Sequence, residues 1–171
     1  MILEFKNIAW FLGLIIFQIF VIDAIDLGTY SYFFSPIIIA FFILKQRLST
    51  TVFQLLIIAF FLGMITDIFR NTLGLNTFVL LMITYLKPIF LYSITSTEDI
   101  EKDVELNIFN IGILRFLLFF GSSLFFYHLL FFLIEQFSFQ NLFTLLLRSL
   151  INTISSLMVL LFLQYVFISR K

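Results

Sequence analysis

The chain has 171 residues, 62% hydrophobic and 12% charged, with ten basic and ten acidic side chains and a formal net charge of zero. Soluble domains are about half apolar and a quarter charged, so this composition predicts an all-α integral membrane protein forming one domain over 1–171. Zero net charge removes the electrostatic basis for nucleic-acid binding. The absence of cysteine removes disulfides and thiolate chemistry, and a lone histidine, His128, cannot build a multi-histidine metal site.

Six apolar segments follow one another, each near the ~20 residues that span hydrocarbon. The first, Ile8 to Ile25, lacks a small-residue cleavage site and is bordered by Asp23 and Asp26, which predicts a retained first helix rather than a signal peptide. The second, Tyr30 to Leu44, is short, and Pro36 kinks it or delays its start. The third is Thr51 to Phe69, the fourth Leu75 to Ile94, the fifth Phe109 to Ile134 and the sixth Leu142 to Ile168. Strict apolar–polar alternation is missing, which argues against a membrane barrel, and backbone in lipid must pair internally, which leaves helices. The expected fold is therefore six transmembrane helices.

Lys and Arg set the orientation. With six spans both termini share one side, which holds Lys6, Lys45, Arg47, Lys102, Arg170 and Lys171, against Arg70 alone opposite. Both termini are expected in the cytoplasm, with Asp23, Asp26, Asp67 and Glu135 near the outer face. The acidic loop Ser96 to Asn107 is then cytoplasmic, either a solvated connector or a contact for a basic partner; Ser96 or Thr97 could cap a short helix within it.

Charges inside apolar segments are candidates for function. Asp67 and Arg148, ~9 Å into the sixth helix, fall at similar depth, which predicts an outer-leaflet ion pair, with Arg70 as the competing partner of Asp67. Snorkelling to headgroups is the alternative for Arg148, and simple headgroup contact the alternative for Asp67. Lys87 and Arg115 lie near the inner side and are expected to snorkel inward or to meet the acidic loop. Gln18, Gln54, Asn110, His128 and Asn152 are expected to bridge helices, and Ser122-Ser123 and Ser155-Ser156 to let helices pack closely. No nucleophile–base pair, carboxylate pair or phosphate loop emerges, so no catalytic residues and no cofactor are expected.

The most distinctive stretch runs from Phe60 to Pro88. Gly63 and Asp67 stand four apart on one helix face; Leu73-Gly74-Leu75-Asn76 makes the turn, and the next helix closes at Tyr85-Leu86. This pattern resembles the rod shape-determining protein MreD family, with Asn76 where members carry histidine or asparagine. The resemblance implies a fold like the S-components of vitamin transporters and a place in the bacterial cytoplasmic membrane. It further implies a non-catalytic scaffold of the elongation complex that binds the single-span protein MreC and associates with MreB filaments, RodA and its transpeptidase. Gly63, Asp67, Arg70, Leu73, Gly74, Asn76 and Tyr85 are then the candidate docking corner. The alternative is an S-component-like binder of a small molecule or vitamin, although the Ala-x-x-x-Ala contact motif of those components is missing from Ile8-Ala9-Trp10-Phe11-Leu12-Gly13. A membrane enzyme would need convergent acid, base or metal groups.

Overall fold

A computed structural model describes residues 5–25, 28, 33–47, 49–92, 103, 105–137 and 141–167, with side chains from residue 9 onward. Its helices are α1 (Phe5–Phe17), running into a π-helical turn (Gln18–Ile22), α2 (Ala40–Leu44), α3 (Val52–Arg70), α4 (Leu75–Tyr92), α5 (Ile108–Ile111), α6 (Ile113–Gln136) and α7 (Leu142–Phe167). No strand occurs among the described residues. Four helices, α3, α4, α6 and α7, are long and apolar enough to cross a membrane. The acidic loop falls largely outside the described residues, as do Asp26, Lys102, Arg170 and Lys171.

The long helices form where the apolar run is unbroken, and they stop at residues that tolerate reversal. α3 ends at Asn71, in the left-handed region at φ 55°, a conformation asparagine accepts more readily than most residues. Leu73 (φ 47°) and Gly74 (φ 89°) complete the reversal into α4. The antiparallel α3–α4 hairpin is the tightest contact in the bundle. A Cβ added at Gly63 would sit 2.4 Å from the Cα of Thr77, so only glycine admits this approach. α4 packs on α6 and α6 on α7, which completes the bundle.

The second apolar segment departs from expectation. Only Ala40–Leu44 is α-helical; residues 34–38 are non-helical, and Ile37 to Leu44 are at most 2% exposed. This stretch runs through the interior from the Arg70 end of α3 to the level of Lys87 on α4. Hydropathy measures burial and not backbone form, so a segment enclosed by protein has the composition of one enclosed by lipid. The first segment also differs, since its α-helix gives way to the π turn, closed by the Asp23 N–H on the Gln18 carbonyl at 2.8 Å.

Aromatic rings fill the space around α2. Phe41 lies between Trp10 (centroids 6.0 Å apart) and Phe120 (5.6 Å), and Phe120 stacks on Phe116 at 4.2 Å. Other phenylalanines, among them Phe53, Phe61, Phe69, Phe143 and Phe162, are exposed on the outside of the bundle, which suits a surface facing hydrocarbon. At the α2 end, Leu106 N–H donates to the Lys45 carbonyl and Ile108 N–H to Gln164 Oε1, while the Asn107 side chain caps α5 by accepting from Phe109 and Asn110. Nearby, Ser49 donates to Asp103 through both its hydroxyl (2.7 Å) and its N–H (2.9 Å), and these bonds hold the Asp103 carboxyl below its ordinary range. The stabilisation from this contact is complete above the ordinary carboxylate pKa and fades as pH falls through the lowered one.

Candidate functional site

Asp67 is the best-connected side chain of the distinctive stretch. It projects from the last turn of α3 across the hairpin onto the start of α4 and is 7% exposed. Its Oδ1 accepts from the Thr72 hydroxyl (2.5 Å), the Asn76 N–H (2.9 Å) and the Asn76 amide (3.0 Å). Its Oδ2 accepts from the Thr77 N–H (2.9 Å) and the Thr77 hydroxyl (2.6 Å). The N–H groups of Asn76 and Thr77 belong to the first turn of α4, where the backbone has no partner within its own helix. Asp67 is therefore a helix cap supplied by the neighbouring helix, with its charge at the favourable end of the α4 dipole. Asn76 extends the network, because its Oδ1 accepts from the buried Tyr127 hydroxyl of α6.

The expected Asp67–Arg148 pair does not form, and Arg70 is not the partner of Asp67 either. Arg148 Nη1 binds Glu135 at 2.8 Å, and its guanidinium lies 3.8 Å from the Phe132 ring centre. Arg70 grips Asp23 through Nε (2.9 Å) and Nη2 (2.5 Å) and also donates to the Pro36 carbonyl (3.2 Å). Depth along a helix is legible in sequence, but rotation about its axis decides which neighbour is met. Asp67 faces α4, where five donors make a basic partner unnecessary.

Other candidates also find different places. Gly63 is the contact point of α3 with α4, and Asp67 and Asn76 are buried structural groups, so these three are interior and not on a docking face. Of the proposed corner, Leu73 (98% exposed) and Tyr85 (65%) stand on the surface. Lys87 does not snorkel; it is buried and donates to the carbonyls of Ile43 (3.1 Å) and Gln46 (2.9 Å), at the C-terminal end of α2, while most of the acidic loop lies outside the described residues. Arg115 is exposed near the start of α6. His128 bridges helices as expected, meeting Ser156 Oγ at 3.2 Å.

Sequence reasoning understated Gln18, Asn152 and Ser156. All three are fully buried and supply what the stretch 33–38, non-helical from residue 34, cannot supply for itself. Asn152 accepts the Ser35 N–H and donates to the Phe33 carbonyl; Ser156 Oγ accepts the Ile37 N–H at 3.0 Å. Gln18 accepts the Ile38 N–H (2.7 Å) and donates to the Pro36 carbonyl (3.1 Å) and to Asp23 (2.8 Å). Bare backbone at this depth persists only where protein satisfies it. The available signal was a proline in one apolar segment alongside amides in two others. Gln18→Leu leaves the buried Ile38 N–H without its acceptor, while the Pro36 carbonyl keeps Arg70, so we expect it to cost about 1–3 kcal/mol, read as a lowered midpoint in denaturant titration of the purified protein.

A polar pocket of about 410 Å³ opens at the Arg70 end of the bundle, lined by Asp23, Ser35, Arg70, Thr72, Glu135 and Arg148 among apolar neighbours. Among the described residues no group of three or more histidine or acidic side chains is placed to hold a metal ion. No protein-family model matches the sequence, and no match was found among curated proteins or among solved structures.

Proposed function

We propose that the chain is a non-catalytic scaffold of the bacterial rod complex, MreD-like, which docks a single-span MreC-like partner and through it stands beside MreB filaments, RodA and its transpeptidase. The chain would cross the cytoplasmic membrane six times, with the interior stretch 33–46 as its second crossing, in an arrangement like that of S-components. Both termini would face the cytoplasm, because basic residues concentrate on that side. Periplasmic activity of a reporter fused to either end would sink this topology.

The observation that supports docking is Leu73. It sits at the tip of the α3–α4 hairpin, 98% exposed, with a backbone in the left-handed region that a leucine adopts at a cost of about 1–2 kcal/mol. Phe137, at the end of α6, repeats the pattern: φ 47° and 92% exposed. Both lie at the Arg70 end of the bundle, since Arg70 and Glu135 line one pocket. Strained, exposed apolar tips held up by a rigid cap are a surface suited to a partner. Leu73→Glu removes this contact without touching the core, so the variant should insert and unfold like wild type yet lose most of the MreC-like protein on co-purification. Equal capture by the two proteins would rule out the hairpin tip, and failure of wild type to capture any such partner would rule out the scaffold role.

A further inference from the structure

One face of α4 is bare. Val79, Leu80, Ile83, Lys87 and Leu91 are buried against the bundle, whereas Phe78, Tyr85, Ile89 and Tyr92 are exposed. Phe78, Tyr85 and Tyr92 stand seven apart, so they form one seam along the helix. Most of this seam suits hydrocarbon, and Tyr92 closes it at the helix end, where tyrosines meet headgroups. Tyr85 has no such place. It lies within two residues of the middle of Leu75–Tyr92, ~3 Å along the axis, and is 65% exposed. No hydrogen bond reaches its hydroxyl among the described residues. About 15 Å of hydrocarbon separates it from either headgroup layer, too far for a phenol to snorkel. Ser122, exposed on α6, meets the same difficulty by donating to the Phe119 carbonyl of its own helix at 3.1 Å. A phenol is too long for that, and lipid tails offer no acceptor, so the hydroxyl is satisfied only by another protein surface.

We propose that a second copy of this chain covers the seam, α4 against α4, in a parallel two-fold dimer closed at Tyr85. Copies in one membrane insert the same way, so a two-fold axis along the membrane normal sets each seam residue at the depth of its own counterpart. A tyrosine hydroxyl both donates and accepts, so Tyr85 is satisfied by the same hydroxyl of the second copy. A different helix would have to bring an acceptor to this one depth, whereas the second copy brings it by symmetry. The seven-residue spacing is that of helices crossing at about 20°. At their exposures the four side chains offer roughly 500 Å² per copy, given ~150–250 Å² for a fully covered aromatic. Two copies together reach about 1,000 Å², the size at which specific interfaces begin. The seam does not include Leu73, and the dimer does not depend on the scaffold role.

The test uses the full chain in lipid vesicles over a falling protein-to-lipid ratio, with association read by energy transfer between labelled copies. Wild type should dimerise, and Tyr85→Phe should weaken the dimer about tenfold. Tyr85→Phe removes only the hydroxyl of an exposed side chain, so it should insert and unfold like wild type. The chain has no cysteine, so single cysteines report on the geometry. Under a mild oxidant Phe78→Cys and Tyr92→Cys should cross-link to their own counterparts, whereas Phe162→Cys, on the bare face of α7, should not. Wild type that stays monomeric, association unchanged in Tyr85→Phe, or cross-linking at Phe162→Cys as strong as on the seam overturns the proposal. So does a monomeric wild type that captures a single-span helix in a manner dependent on Tyr85, since that helix is then the occupant.

Discussion

Asp67→Ala should cost about 4 kcal/mol of unfolding free energy, because it leaves the Asn76 and Thr77 N–H groups without their acceptor at the start of α4. No arginine is freed by the change, since Arg70 and Arg148 hold other carboxylates. Asp67→Asn should fall between wild type and alanine: one oxygen still accepts, but the new amide group faces donors. Equilibrium unfolding in mixed micelles measures both variants. A loss under about 1 kcal/mol for alanine would mean that water or another group reaches these donors, and that the cap is dispensable.

The second large effect is expected at Gly63. A methyl group there meets Thr77 backbone, at 2.4 Å from Cα and 2.9 Å from N, and backbone cannot turn aside as a side chain can. Gly63→Ala therefore has to push α3 and α4 apart, at about 2–3 kcal/mol, and Gly63→Leu should prevent the hairpin and leave little protein in the membrane. Thr77 is also a double donor to Asp67, so separating the helices loosens the cap as well. Gly63→Ala combined with Asp67→Ala should consequently cost less than the sum of the two single changes. Strict additivity in that cycle would show that the glycine contact and the cap are independent.

The long helices were legible in the sequence because uninterrupted apolar runs of membrane length have few alternatives. The third, fourth and sixth segments lie close to α3, α4 and α7. That Asp67 needs partners was legible from the cost of a charge at the end of an apolar segment. Its partners were not, because the expectation matched charge with charge, whereas the structure matches the carboxylate with the amides and hydroxyls of Thr72, Asn76 and Thr77. Leu73-Gly74-Leu75-Asn76 reads as a turn, and only coordinates show that the turn exists to bring Asn76 under Asp67. The second segment starts late, as Pro36 allows, but is helical only over Ala40–Leu44, and nothing in Ile37 to Leu44 distinguishes a stretch wrapped in protein from one wrapped in lipid. The place of Lys87 is illegible for the same reason: its burial depends on the short α2 ending beneath it, and hydropathy does not mark that end.

The interior stretch also sets a schedule for biogenesis. Two of its backbone N–H groups are satisfied by Asn152 and Ser156, which follow it in the chain by 117 and 119 residues. A ribosome delivers those residues only after every other helix has been made, so the newly made second segment has no stable place in the bilayer until α7 arrives. A nascent chain released before residue 152 should keep this segment accessible to protease or to a chaperone, and addition of α7 should be the step that buries it. Burial of the second segment is thus tied to completion of the last helix.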